Sequence, residues 1–221
     1  MQNLLSMNFR IFDLTHKISN DMPVFPGDMT PVIHTRFTHD KDGFQELELN
    51  LTSHTGTHLD CPLHLYKGNR SLSAIDINNF FGRAIAIDYS GMKEAITLNL
   101  IQKYNKEIEK ADFLLFYTGY DIWWGSDQYF KNFPVLTEEA AVYLTNFKIK
   151  GVGFDTISAD RIDSEELPIH RIFLRKDILI IENLKGLKDV LYQKFYFSCF
   201  PLKIIDGDGS PVRAVAYLTG D

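Results

Sequence analysis

The sequence has few cysteines and no long apolar run, and these absences exclude several classes of protein. Cys61 and Cys199 are its only cysteines, which is too few for a disulfide framework. No apolar stretch approaches the ~18 residues that a membrane-spanning helix needs. The N-terminus lacks the basic region and apolar stretch of a secretory signal. We therefore expect a cytoplasmic protein that has no membrane partner.

Basic blocks are also absent. The formal net charge is -6, and acidic and basic residues are intermixed along the chain. Nucleic acid binding usually needs clustered Lys and Arg, so we expect a small-molecule partner and no nucleic acid. The 221 residues, 45% of them hydrophobic, suffice for one substantial core. No repeat or linker divides them, which predicts a single domain over residues 1–221.

Hydrophobic patterning predicts a mixed α/β domain with a central, mostly buried sheet. Alternation of polar and apolar residues over 46–51 predicts a half-buried strand. Other strands are expected near 83–88, 113–118, 152–155, 178–181, 196–201 and 212–218. Helices are predicted over 98–110, after a cap at Thr137, and over 169–174. Strands and helices mix without strict alternation, which favours the α/β or α+β classes.

Histidine is concentrated in one segment. His54, His58 and His64 lie within eleven positions, together with Asp60. A regular helix would point Asp60 about 240° away from His54, and a flat strand would hold His54 and His58 about 13 Å apart. Ligands of one ion must bring their donor atoms within about 4 Å. We therefore predict a tight loop, in which Gly56 and Pro62 allow the bend, that binds a divalent metal through imidazole and carboxylate groups.

A second acid lies at the end of a predicted buried strand. Glu182 directly follows the aliphatic run 178–181, and burying its carboxylate is costly unless it is paired or binds a metal. The alternative is that Glu182 simply reaches solvent at the strand end. His170 has no visible partner and is uninformative by itself. The other histidines, His16, His34 and His39, are interpreted as structural.

One long motif carries a family resemblance. It reads His54-Thr55-Gly56-Thr57-His58-Leu59-Asp60-Cys61-Pro62-Leu63-His64. This run resembles the His-x-Gly-Thr-His-x-Asp-x-Pro-x-His motif of the cyclase family, which includes bacterial kynurenine formamidase (arylformamidase) and isatin hydrolase. Segments 13–16, 22–28, 167–170, 180–184 and 208–214 resemble other parts of that family. The likeness covers most of the chain and implies a fold of the swivelling β/β/α type.

The resemblance also implies how the metal ligands divide. His54, His58 and Asp60 would bind one divalent ion. Asp60, His170 and Glu182 would hold a second, with the aspartate and the glutamate bridging. Nitrogen and oxygen donors without a thiolate suit Zn²⁺, and Mn²⁺ is the main alternative. One or two ions are therefore expected.

Two further roles follow from the same resemblance. His64 would be the general acid/base. Phe25 would line the substrate pocket, at a position where the resemblance indicates a tryptophan in the bacterial formamidases. Relatives are generally homo-oligomers, which implies a homodimer or homotetramer.

The implied activity is metal-dependent hydrolysis of a small aryl formamide, similar to N-formylkynurenine, or of a cyclic amide by metal-activated water. Two alternatives are a metal-dependent cyclase or lyase acting through an enolate and a non-catalytic metal- or ligand-binding protein. A nucleophilic Cys61 is a further alternative, although a small buried side chain fits better. The aromatic segment 117–124 is either ordinary core and loop or a wall for a flat substrate.

Overall fold

The computed structural model of the protein describes residues 9–92 and 94–219. Within these residues the chain forms two β-sheets. Their strands are β1 (Phe9–Asp13), β2 (Val32–Phe37), β3 (Glu46–Asn50), β4 (His58–Asp60), β5 (Phe81–Asp88), β6 (Phe113–Tyr117), β7 (Gly151–Phe154), β8 (Leu179–Glu182), β9 (Phe195–Ser198), β10 (Gly209–Pro211) and β11 (Val215–Thr219).

The larger sheet has nine strands in the order β1-β11-β9-β5-β6-β7-β8-β4-β10. The central strands β5 to β8 are parallel, and the outer pairings are antiparallel. Leu114 and Phe116 of β6 pack into one core, and Phe113 and Leu115 pack into a second core on the opposite face. A strand that is covered on both faces is apolar at every position. The predicted mixed α/β fold with a mostly buried central sheet is confirmed.

Five short α-helices accompany the sheets in the described residues. They are α1 (His39–Asp42), α2 (Leu98–Gln102), α3 (Asn105–Ile108), α4 (Glu138–Leu144) and α5 (Pro168–Leu174). The Thr137 hydroxyl accepts a hydrogen bond from the Ala140 amide at 3.2 Å, which confirms the predicted cap of α4. None of these helices is long and apolar enough to cross a membrane.

The single helix predicted over 98–110 is wrong, because the segment breaks into α2 and α3. Tyr104 leaves the helical conformation, with φ -104° and ψ 10°. The Asn105 side chain that follows accepts a hydrogen bond from the Tyr143 hydroxyl at 3.1 Å. Asn and Tyr are weak helix formers, so a tertiary contact and the local propensity act together against one continuous helix.

The strand predicted over 46–51 exists as β3, but its predicted half-burial is wrong. β3 pairs only with β2 among the described strands, and the two form a separate hairpin. Every residue of β3 is exposed, including Leu47 at 48% and Leu49 at 56%. Alternating hydropathy shows that a strand has an apolar face, but another element must cover that face before it is buried.

Candidate metal centre

The centre is built on β4, which lies between β8 and β10 in the large sheet. Alternate residues of a strand point to the same face, so His58 and Asp60 project together while Leu59 enters the core behind them. His58 lies opposite Glu182 of β8. The loop predicted for this whole segment is therefore wrong over 58–60, where pairing with two neighbouring strands imposes extended backbone.

The bend predicted at Gly56 is present. Gly56 has a φ of +65°, which is strained for any residue with a side chain. This turn brings His54 back beside the strand, so that the rings of His54 and His58 lie 5.1 Å apart, almost perpendicular. The Asn183 amide donates to the Gly56 carbonyl at 2.9 Å and fixes the turn against the end of β8.

The five predicted ligands converge, and the two oxygens of each carboxylate lie near different imidazoles. Asp60 Oδ1 lies 2.8 Å from His54 Nδ1 and 3.5 Å from His58 Nε2, while its Oδ2 lies 3.5 Å from His170 Nε2. Glu182 Oε2 lies 3.5 Å from His58 Nε2, and its Oε1 lies 3.1 Å from His170 Nε2. Donor atoms lie within 4.8 Å of one another in two groups, which are His54 with Asp60 and His64, and His58 with Asp60 and Glu182; Asp60 is common to both.

Two of the imidazoles are held by partners outside these groups. His58 Nδ1 donates to the Gly56 carbonyl at 2.8 Å, and His170 Nδ1 donates to Asp160 at 2.7 Å. Asp160 also accepts the amide of His170 at 3.0 Å and so anchors the start of α5. Because each Nδ1 donates away from the carboxylates, each Nε2 faces them and would be the atom that binds a metal.

Asp208 is the outer hydrogen-bond partner of His54. Its Oδ2 accepts from His54 Nε2 at 2.8 Å and from His64 Nδ1 at 3.2 Å. The hydrogen bond from His54 holds the pKa of Asp208 well below its ordinary value. Burial opposes the charged form of His54, but the carboxylates of Asp60 and Asp208 outweigh that effect and raise its pKa to about 10.

His64 lies at the edge of the centre, with a quarter of its side chain exposed. Its ring is 4.2 Å from that of His54. His64 offers a nitrogen within 4.8 Å of donor atoms of His54 and Asp60. From this position His64 could transfer protons beside a bound metal. It is also close enough to His54 and Asp60 to be a metal ligand itself.

A divalent cation fits these residues. The side chains of Asp60 and Glu182 are almost wholly buried, and no lysine or arginine in the described part of the chain pairs with either. Asp60 Oδ1 is buried and makes no hydrogen bond of good geometry, although His54 Nδ1 lies 2.8 Å away. Protons on the imidazoles, as on His54, balance part of this negative charge, and a divalent ion held by the same nitrogen and oxygen atoms would replace them.

The donors lie at the base of a cavity of about 330 Å³. Phe25 lines it, and its contact with a substrate stays a prediction. The other apolar walls are Pro23, Val24, Ile157, Ile162 and Leu167, and the carboxylates of Asp28 and Glu165 also reach the cavity. None of the aromatic residues of segment 117–124 lines it, and Trp124 instead stacks on buried His16 with ring centroids 3.9 Å apart.

Several other residues lie outside the proposed chemistry. Cys61 is fully buried, and burial raises the pKa of its thiol to about 11, which argues against a nucleophile. Arg213 forms a two-point ion pair with Asp13 at the surface. His34 and His39 are exposed, outside the cavity.

Sequence reasoning missed Asp160 and Asp208 as partners of the imidazoles. Asp160 follows the buried strand β7 by a few residues. A carboxylate in that position could have been recognised from the sequence as a candidate. Asp208 lies between two glycines, just before β10, and only the fold shows that it reaches His54.

Comparison with known proteins agrees with this geometry. Residues 12–161 match the family model described as Putative cyclase. A kynurenine formamidase of Bacillus cytotoxicus is 30% identical over 205 residues, which cover 92% of this chain and 95% of that protein. A protein of Bacillus stearothermophilus, described as a predicted metal-dependent hydrolase, has a solved structure with a TM-score of 0.79 and 29% identity, covering 95% of this chain and 98% of that one.

The fold has a further match in a solved isatin hydrolase bound to the product analogue thioisatinate. The TM-score is 0.88 at 24% identity, over 96% of this chain and 93% of that one. The family model covers more than half of this chain, and the formamidase match extends over nearly all of it. The chain therefore belongs to the cyclase family, and it is a metal-dependent amidohydrolase.

Proposed function

We propose that the chain hydrolyses a small aryl formamide or a cyclic amide at a divalent metal centre. The observation that carries this proposal is the close approach of Asp60 and Glu182 to the imidazoles of His58 and His170, in a cavity whose other walls are largely apolar. The relatives named kynurenine formamidase and isatin hydrolase support an amide bond beside an aromatic ring. The apolar walls around Phe25 suit that ring.

His54, His58 and Asp60 would hold one ion, and Asp60, His170 and Glu182 would hold a second. Zn²⁺ suits these donors, and Mn²⁺ is the alternative. When bound, the metal would supply an activated water and polarise the amide carbonyl. Asp160 and the Gly56 carbonyl orient the rings of His170 and His58, so the site is preorganised by its outer partners.

His64 moves the proton in this proposal. Its Nδ1 donates to Asp208, which leaves Nε2 as the atom that takes a proton and returns it. An arylamine leaves poorly unless its nitrogen is protonated, so His64 acts as the acid when the amide bond breaks. Such assistance is typically worth about 10²–10⁴ in rate.

The test measures formate release from formanilide and ring opening of isatin by the purified chain loaded with Zn²⁺ or Mn²⁺. We expect turnover of at least one substrate, and its loss on chelation and in His58→Ala. The matched control is His34→Ala, which removes an exposed histidine outside the cavity.

The alternatives predict different results in the same assay. An enolate-forming lyase or cyclase would bind the metal and leave both amides intact. A non-catalytic metal-binding protein would show no turnover even when it is loaded with metal. Chelation would lower its thermal stability only.

We further propose that the chain acts as a homodimer or homotetramer that covers the β2–β3 hairpin. A two-stranded hairpin is at best marginally stable alone in water, yet Val32, Leu47 and Leu49 are each about half exposed on it. β3 also leads directly into the loop that carries His54. Light scattering should show a smaller species for the double variant Leu47→Glu, Leu49→Glu. Ile122→Glu, at another exposed apolar position, should not change the mass.

A further inference from the structure

We infer that Tyr129 is a positioning residue of the metal centre, which holds the ring of His58 in place through the Asn183 side chain and the Gly56 carbonyl. The inference deepens the proposed function and rests on it, since His58 is one of the proposed metal ligands. Its basis is a row of three hydrogen bonds that joins a fully buried phenol to an imidazole of the centre.

The row begins at the Tyr129 hydroxyl, which donates to Asn183 Oδ1 at 2.7 Å. The Asn183 side-chain amide donates in turn to the Gly56 carbonyl at 2.9 Å. The same carbonyl accepts from His58 Nδ1 at 2.8 Å. A carbonyl oxygen has two lone pairs, so it can accept both hydrogen bonds at once. The position of the Gly56 carbonyl, and with it the His58 ring, is therefore set in part by Asn183.

Tyr129 determines which way round the Asn183 amide lies. A phenol carries a single hydrogen, and burial raises the pKa of Tyr129, so the hydroxyl keeps this hydrogen and donates it. A second acceptor, the Asp155 backbone carbonyl, is 3.5 Å away, which makes it the weaker partner. The hydroxyl therefore selects Asn183 Oδ1 and leaves Asn183 Nδ2 to face the Gly56 carbonyl.

Both residues are held firmly enough for this role. Tyr129 and Asn183 are buried, and the Tyr129 ring lies edge-on to Trp124 with ring centroids 5.3 Å apart. Asn183 has a φ of +56°, which asparagine tolerates better than most residues. Its backbone amide donates to the Thr156 carbonyl at 3.0 Å, and its carbonyl accepts from the Thr57 hydroxyl at 2.5 Å. The row thus starts from a fixed point.

Tyr129 is the residue of this row that can be varied most cleanly. Asn183 lines the cavity, so a change there could also remove a contact with substrate, whereas Tyr129 does not line it. Replacing Tyr129 with Phe removes only the hydroxyl and keeps the packed ring. An effect of that change on the metal centre must therefore pass through Asn183.

The first test measures the dissociation constant for Zn²⁺ by competition with a chromogenic chelator. Tyr129→Phe should weaken Zn²⁺ binding by about fivefold, the effect of one lost hydrogen bond. Tyr89→Phe is the matched control, because it removes another buried hydroxyl, one that donates to the backbone carbonyls of Glu94 and Ala95 outside the cavity. It should leave the constant unchanged even where it lowers the melting temperature. Equal constants for the two variants would overturn the inference.

A second variant shows whether Tyr129 acts through Asn183. Asn183→Gly removes the amide and suits the positive φ, and it should weaken Zn²⁺ binding by about tenfold or more. In that background Tyr129→Phe should add less than about twofold, since the row is already broken. Fully additive effects would overturn the inference. If Tyr129→Phe does not fold, Asn183→Gly decides: an unchanged constant overturns the inference, and the expected loss supports it.

An NMR measurement separates the inference from the function on which it rests. The Nδ1 hydrogen of His58 should exchange slowly with water in the unaltered, metal-free chain and about fivefold faster in Tyr129→Phe. Neither amide turnover nor metal binding enters this measurement. Equal rates in Tyr129→Phe and Tyr89→Phe would overturn the inference even where the chain hydrolyses formanilide. A rate that rises only in Tyr129→Phe would support it even where neither formanilide nor isatin is hydrolysed.

Discussion

His58 lies directly opposite Glu182 in the antiparallel pairing of β4 and β8, with His58 Nε2 3.5 Å from Glu182 Oε2. Directly opposed residues on one face of such a pair have their Cβ atoms about 5 Å apart. The register of these two strands therefore decides whether the ligand set exists. A shift by one residue would place Ile181 at the site and turn Glu182 toward the core behind it.

His64 should be needed for proton transfer and not for metal binding. His64→Asn should lower kcat by about 10²–10⁴, since it removes the acid/base group, while the metal content measured by plasma mass spectrometry stays near that of the unaltered chain. His39→Asn, at an exposed position, is the control. If metal is lost with His64, its closeness to His54 and Asp60 reflects coordination instead.

Asp208 should control metal affinity through His54. Asp208→Asn weakens the acceptor of His54 Nε2, and the loss of such outer partners typically costs about 10–100-fold in metal affinity. The dissociation constant for Zn²⁺ can be measured by competition with a chromogenic chelator. Asp206→Asn is the matched control, because Asp206 is an exposed carboxylate in the same loop. Equal affinities for the two variants would contradict the assignment.

Gly209 should be essential because its backbone passes against the His54 ring. A Cβ at position 209 would lie 2.7 Å from His54 Cε1 and 3.0 Å from its Nε2. Gly209→Ala should therefore displace the ring and reduce kcat by about 10²-fold, the usual cost of a misplacement near 1 Å. Gly207→Ala adds the same methyl near the Ile204 carbonyl, away from His54. A fully active Gly209→Ala enzyme would show that the ring can adjust.

Asp155 should make stability depend on pH. The side chain is fully buried, and burial raises its pKa to about 7 although Thr118 and Gly119 donate hydrogen bonds to it. The folded chain then retains a proton that the unfolded chain releases near its ordinary value of 3.8. The corresponding stability is fully present below pH about 4 and is lost as the pH rises to about 7.

The slope of that loss is at most about 1.4 kcal/mol per pH unit. Urea unfolding of the chain and of Asp155→Asn at several pH values within this window should show a smaller fall for the variant. Asp127→Asn, at an exposed position, should retain the original slope. Parallel curves for Asp155→Asn and the unaltered chain would contradict the raised pKa.

The local parts of the site could be predicted from the sequence. The spacing of His54, His58 and Asp60 excluded one regular element and required a bend, and Gly56 supplies it with a φ of +65°. Glu182 ends an aliphatic run, and the structure places it at the end of buried β8. These features depend on neighbours in the chain, because backbone freedom and strand burial leave a local pattern.

The remaining features were decided by the tertiary structure. The pairing of His170 with Asp160, the sharing of Asp208 by His54 and His64, and the exposure of β3 all depend on which distant segments meet. Hydropathy gives the period of a strand, but not its neighbours or whether anything covers it. The sequence by itself determined which donors were available and where the chain bends. Strand order and register, set by packing between segments far apart in the chain, decided how those donors face one another.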